Sequence, residues 1–156
     1  MALPVRKHPR LKNFDYSQCG CYHLTICTKN RRPFLGQVVS AENDACRSRV
    51  LLTDIGHIAL QYVENISVVY RGVSVDKYVI MPNHVHLLIT LSENASTSIP
   101  EVVRSLKRMV TKAAGKPIWQ DSYYDVIIRN DSMYRYEWTY LDNNPDKWSE
   151  DELYVP

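Results

Sequence analysis

The sequence predicts an α+β domain, an antiparallel sheet with helices packed on it and a further helix at its C-terminal side. Three observations predict it. Apolar residues alternate with period two over residues 20–28 and form strand-like apolar runs up to Met81 and from His84 to Leu91. They recur with helical spacing after Thr53 and after Ser98. Turn signals fall between these segments, so that the order is strand, helix, strand, strand, helix, strand, helix.

The elements follow in turn. Residues 1–18 are basic and polar with two prolines, and read as an N-terminal arm ahead of a single domain over 19–156. GCYHLTICT (20–28) alternates as a strand, and Asn30-Arg31-Arg32-Pro33 is a turn. Thr53 or Asp54 caps a helix whose apolar stripe is Ile58, Ala59, Tyr62, Val63 and Ile66. Val68 to Met81 reads as a strand, broken in two around Gly72. Pro82-Asn83 turns the chain into a second strand, His84–Leu91, which makes a hairpin. Ser98 with Glu101 forms a capping-box pattern ahead of a helix with Ile99, Val102, Val103, Leu106, Val110 and Ala113 on one face. Arg104, Lys107, Arg108 and Lys112 hold the other face, and Gly115 and Pro117 end the helix. Ile118 to Arg129 contains a strand, and a last helix runs from Asp131 or Ser132 to about Asn144, before Pro145. This is the split βαβ, ferredoxin-like pattern with one added helix.

The chain has 156 residues, 45% of them hydrophobic and 23% charged, as in an ordinary globular domain. The net charge is only +2, but its distribution is uneven. Arg6, Lys7, Arg10 and Lys12 crowd the arm, Lys29, Arg31 and Arg32 follow the first strand, and the acids gather at Asp142, Asp146, Glu150, Asp151 and Glu152. A basic body with an acidic tail can present a positive face to a polyanion, although each cluster alone is also what a solvated surface looks like. The four cysteines form no C-x-x-C pair and read as structural. No secretory segment follows Met1 and no apolar run reaches a membrane span, so a reducing cytoplasm is the expected location.

The chemistry lies in YVIMPNHVHLLITL (78–91). In a strand, residues i and i+2 share a face, so His84 and His86 project together. Two polar rings on an apolar strand are costly unless something pairs with them, and two imidazoles at this spacing can grip one divalent ion. The cupin pattern also begins with H-x-H, but here Glu93 comes too late, no glycine follows before Gly115 and no histidine follows His86. The remaining ligand must be a carboxylate, an amide or water. In TYLDNNPDKW, Tyr140 and Asn144 stand at i and i+4 on one helical face. A tyrosine beside an amide ligand and an H-x-H strand suits attack on a phosphodiester, with a metal ion polarising the phosphate. The ion is needed: a phenol of pKa about 10 is ionised to roughly one part in a thousand at pH 7, a handicap of about 4 kcal/mol. Spacing alone does not choose between Tyr140 and Tyr136, one turn earlier, and Tyr134 is near.

YVIMPNHVHLLI, IWQDSYYDVIIRN and YLDNNPDKW, with HLTICTKNRRPFLG and IGHIALQYVENI before them, resemble the signature blocks of the HUH single-strand transposases. The resemblance is to the IS200-like group and within it to the REP-associated tyrosine transposases, and covers about residues 20–148. It implies a metal-dependent enzyme that nicks and rejoins single-stranded DNA at hairpin-forming repeats through a 5′-phosphotyrosine. Tyr140 matches the nucleophile, His84 and His86 the paired histidines, and Asn144 the third metal-facing position, where insertion-sequence relatives often carry Gln. Mg²⁺ or Mn²⁺ is the implied ion. Arg6, Lys7, Arg10, Arg31, Arg32, Arg104, Lys107, Arg108 and Lys112 are the candidate DNA contacts, and Tyr22, Tyr123, Tyr124 and Trp119 candidate base platforms. The chain stops at Pro156, so contacts from a longer C-terminal extension are not expected. A homodimer, with Tyr140 serving its partner's site, stands beside a monomer as an alternative. The competing functions are a catalytically silent DNA-hairpin binder of the same fold, a replication-initiator or relaxase-like endonuclease, for whose usual extra domains there is no room, and, least supported, a metalloenzyme unrelated to nucleic acid.

Overall fold

A computed structural model describes residues 11, 14–40 and 47–156. Its centre is a four-stranded antiparallel sheet of β1 (Gly20–Cys27), β4 (Val73–Met81), β5 (His84–Leu91) and β6 (Tyr124–Ile128), in the order β4-β5-β1-β6. Helices α1 (Asp54–Val69) and α2 (Ile99–Ala114) cover one face, and α3 (Asp131–Asn143) lies against the other. The strand order is that of the split βαβ fold expected from the element sequence.

Alternation along the strands divides the sheet cleanly. Tyr22, Leu24 and Ile26 of β1 join Val85, Leu87, Ile89 and Leu91 of β5 in the main core under α1 and α2. The residues between them face α3: Cys21, His23, Thr25 and Cys27 on β1, and His84, His86 and Leu88 on β5. Register sets Cys27 beside His84 and Thr25 beside His86. A smaller apolar layer of Cys27, Met81, Leu88, Leu141 and Leu153 is buried outside the main core.

The helix signals operate locally. Thr53 caps α1 by accepting from the Gly56 backbone N–H at 3.1 Å, and Asn130 caps α3 by accepting from Met133 N–H at 2.8 Å. Gly56 lies so close to the Leu35 carbonyl that a Cβ there would collide with backbone. Gly115 closes α2 in the left-handed conformation, φ 74°.

Two expectations are corrected. Val68 and Val69 belong to the end of α1, not to a strand; the backbone turns extended at Tyr70, passes Gly72 at φ 76° and enters β4 only at Val73. Ser98 makes no side-chain cap, and Glu101 instead pairs with Arg104 at 2.8 Å. The segment 118–129 does contain a strand, β6 from Tyr124, preceded by an isolated bridge from Trp119 to Thr28. An unforeseen hairpin, β2 (Gly36–Ser40) with β3 (Ser48–Leu52), fills the stretch before α1. No described helix is long and apolar enough to cross a membrane.

Candidate metal and tyrosine site

The site forms where β5 meets α3. His84 and His86 are both fully buried, and their rings meet edge to face with centroids 4.7 Å apart. The His84 Nδ1 side is held by Asn83 Oδ1 at 2.8 Å. The Nδ1 of His86 lies 3.0 Å from His23 Nε2 and 3.1 Å from Thr25 Oγ1. In both rings Nε2 is buried with no hydrogen-bond partner among the described residues, and the same is true of Asn144 Oδ1. Three orphaned lone-pair atoms in one buried place are unusual, because each forfeits its hydration without return.

Asp151 completes the cluster. One ligand atom each from His84, His86 and Asp151 lies within 4.8 Å of the others, and Asp151 Oδ2 stands 3.7 Å from His84 Nε2. The Asn144 amide reaches the same carboxylate oxygen at 3.4 Å. Asp151 arrives on a C-terminal segment that folds back over the end of the sheet. Asn83 Nδ2 donates to Leu153 O at 2.6 Å, Leu153 is buried, and Trp148 stacks near His84 with centroids 6.1 Å apart.

Burial dominates the electrostatics. Desolvation pulls His84 down to about 4, against the opposing pull of Asp151 and Asn144. Desolvation, with His84 and His23 adding to it, holds His86 well below its ordinary value. Both imidazoles are therefore neutral at pH 7, which is the form that binds metal. Two bare imidazole nitrogens, an amide oxygen and a carboxylate are a donor set that fits a divalent ion.

Helix α3 supplies the other half. Glu137, Leu141 and Asn144 form its buried stripe. Tyr140 sits at the edge of that stripe, its ring centroid 5.6 Å from His86 and 6.1 Å from His23. Burial first, then Asp151, pushes the Tyr140 phenol up to about 12, with the Asn144 side chain acting the other way. Tyr136 is about 100° round the helix from Glu137 and is 56% exposed. Tyr134 donates to Asp76 Oδ2 at 2.9 Å. The helix is anchored to β4 there, at a register shift in the strand, and by Lys77, which reaches Asp142 at 3.1 Å and lies over the Trp138 ring.

Of the residues singled out from sequence, His84, His86, Asn144 and Tyr140 come together. Arg6, Lys7 and Arg10 lie outside the described residues. Arg104 pairs with Glu101, and Lys107 donates to the Gln120 and Ser122 carbonyls, pinning the loop after α2. Arg108 and Lys112 line, with Lys107 and Trp119, an open hollow of about 500 Å³. Arg32 lines a neighbouring hollow of about 350 Å³ with Lys29, Phe34 and Lys116, and both hollows reach Pro117. Arg31 donates to Glu152 O at 3.4 Å. Tyr22, Tyr123 and Trp119 are buried and Tyr124 is half-buried, so the first three are not open base platforms; Tyr136 and Trp138 are exposed rings on α3, and Tyr154 is exposed beside Trp148.

Sequence reasoning missed Asp151, His23 and Glu137. Asp151 reads as one more acid in a tail, and its signal was the pairing of an amide with an ion that still lacked charge. The signal for His23 was its place in GCYHLTICT, out of phase with the apolar set Tyr22, Leu24 and Ile26. Glu137 is a helix carboxylate that only the tertiary structure buries.

An uncharacterized protein of Haemophilus influenzae is 33% identical to this chain over 96% of its length and 93% of the relative's. A REP-associated tyrosine transposase of Escherichia coli is 33% identical over 85% of this chain and 70% of that protein. A solved REP-associated tyrosine transposase, bound to a REP hairpin, superimposes with a TM-score of 0.62 at 25% identity, covering 88% of this chain and 73% of that one. The family described as transposase IS200-like matches residues 16–144. The chain therefore belongs to the IS200-like transposase family.

Proposed function

We propose that this transposase is a divalent-metal-dependent endonuclease and strand transferase acting on single-stranded, hairpin-associated DNA, with Tyr140 as nucleophile. The observation that carries it is the set of bare ligand atoms, His84 Nε2, His86 Nε2 and Asn144 Oδ1, packed with Asp151 against the Tyr140 ring. Mg²⁺ or Mn²⁺ bound there would polarise the scissile phosphate and stabilise phenolate and leaving oxygen. At a pKa of about 12, Tyr140 is ionised to roughly one part in 10⁵ at pH 7, so a neighbouring cation has more to offset than in water.

The phenol of Tyr140 gives its proton to water, and the resulting phenolate oxygen attacks phosphorus. The bond to the 3′ oxygen breaks, that oxygen takes a proton, and the 5′ phosphate is left on Tyr140. A second 3′ hydroxyl then attacks the phosphotyrosine, releasing Tyr140 and joining the strands. The solved relative bound to a REP hairpin, and the relative named REP-associated, support hairpin DNA as the substrate class. The hollows lined by Lys29, Arg32, Lys116, Arg108 and Lys112 suit phosphates, and the arm residues Arg6, Lys7 and Arg10 extend the basic series. Tyr136 and Trp138 offer faces on which unpaired bases can stack.

The test is a labelled single-stranded hairpin oligonucleotide from the flanks of the gene, incubated with Mn²⁺ or EDTA. A metal-dependent covalent adduct that disappears in Tyr140→Phe is expected. An adduct that survives in that variant moves the nucleophile to Tyr136 or Tyr134. Tight hairpin binding with no adduct in any metal would leave the silent hairpin binder as the better reading.

A further inference from the structure

The buried polar chain behind the histidines has no role in the reaction just described. Glu137 Oε2 lies 2.7 Å from His23 Nδ1, and His23 Nε2 lies 3.0 Å from His86 Nδ1. All three side chains are at least 97% buried, at 1%, 3% and 2% exposure. The line crosses three elements, from α3 through β1 to β5.

Its hydrogen positions follow from its chemistry. With Glu137 ionised and His23 neutral, the carboxylate only accepts, so His23 donates from Nδ1 and carries its lone pair on Nε2. That lone pair can be satisfied only by a proton on His86 Nδ1. With Nδ1 protonated, neutral His86 must carry its remaining lone pair on Nε2, the bare atom in the site. Thr25 Oγ1, 3.1 Å from the same Nδ1, is compatible with this arrangement but does not dictate it, because a hydroxyl can donate as well as accept.

We propose that Glu137 and His23 are positioning residues that fix His86 in the one tautomer able to bind the ion. The role rests on the metal reading given above. The chain does a second thing. Glu137 lies one turn before Tyr140 on α3, so the same three groups tie the nucleophile's helix to the ligand strand. The position of Tyr140 and the lone pair of His86 are set by one connected line of hydrogen bonds. Carboxylate partners of ligand histidines typically change metal affinity 10–100-fold when removed, and here the carboxylate acts through an intervening imidazole.

The experiment is nitrogen NMR of the His86 ring in metal-free protein, with Mn²⁺ titrations of wild type, Glu137→Gln and Glu137→Leu. Gln keeps an acceptor for His23 and loses the charge, whereas Leu removes the acceptor. Wild-type His86 is expected to be protonated at Nδ1. Glu137→Leu is expected to populate both tautomers and to weaken Mn²⁺ binding by up to about 100-fold, and Glu137→Gln to keep the tautomer and lose about 10-fold or less. His86 protonated at Nε2 in the wild type would overturn the proposal whether or not either variant folds. So would Mn²⁺ binding and tautomer unchanged in folded Glu137→Leu. Wild-type protein that takes up no Mn²⁺ at all would overturn the metal reading itself, a failure distinct from normal binding that ignores Glu137.

Discussion

The two faces of the sheet are written by alternate residues of the same strands, and they obey opposite rules. On the α1/α2 face, Leu24, Ile26, Leu87 and Ile89 are fully buried and apolar, and each is stabilised by what it excludes. On the α3 face, His23, Thr25, His84 and His86 are buried to nearly the same degree and polar. Their hydrogen bonds run to one another and to Asn83 and Glu137, and leave bare nitrogens at the point where Tyr140 and Asp151 arrive. One face is complete in itself, while the other keeps buried ligand atoms without partners among the described residues. On the proposed reading, the site lies where the fold tolerates that desolvation, on the face whose helix is shortest and tied down by polar contacts.

The sharpest way to break the comparison is to strike each face with one atom-scale change. Tyr140→Phe removes a single hydroxyl and is expected to lower covalent adduct formation by about a thousandfold or more, with a thermal midpoint close to wild type. An equal loss of stability and adduct would mean that the phenol is structural. Leu87→Ala on the other face is expected to cost about 2–5 kcal/mol in a urea titration, while the folded fraction cleaves normally at low temperature. If folded Leu87→Ala lost its metal binding, the faces would not be independent.

Acid should attack only the polar face. In EDTA, His84 is held near 4 when folded and returns to its ordinary 6.5 when unfolded, so the unfolded chain binds the extra proton. Stability is therefore full above about pH 6.5 and falls as pH drops towards 4, by about 1.4 kcal/mol per unit while that group titrates. Urea midpoints at pH 6.5, 5.8 and 5.0 check this, and a profile no steeper than that of His84→Gln would refute it. The finest comparison uses the helix caps. Thr53→Ala on α1 and Asn130→Ala on α3 should each cost about 1 kcal/mol, but only the second should also weaken Mn²⁺ binding.

The same division explains what could be read from the sequence. The apolar face was legible, because period two in β1 and β5 and helical spacing in α2 are local patterns that survive folding unchanged. His84 with His86 was legible for the same reason, as a pair within one element, whereas spacing left Tyr140 open against Tyr136 and only the family resemblance singled it out. Glu137 and Asp151 were not, because what makes them special is a neighbour 114 residues away in one case and an incoming segment in the other. Val68 and Val69 misled through β-branching: both are exposed in the last turn of α1, and the backbone turns extended only at Tyr70. The β2–β3 hairpin gave little signal because its residues are mostly half-buried or exposed, with no continuous apolar face to reveal it.

The backward fold of the segment bearing Asp151 has a consequence for biosynthesis. Translation delivers His23, His84 and His86 first, and Glu137, Tyr140, Asn144 and Asp151 afterwards. At ordinary elongation speeds the stretch from His86 to Glu137 takes roughly 3–10 s to make. Throughout that interval the imidazoles and Tyr140 do not meet. On the proposed chemistry, a nascent chain is therefore inactive until its last helix has been made.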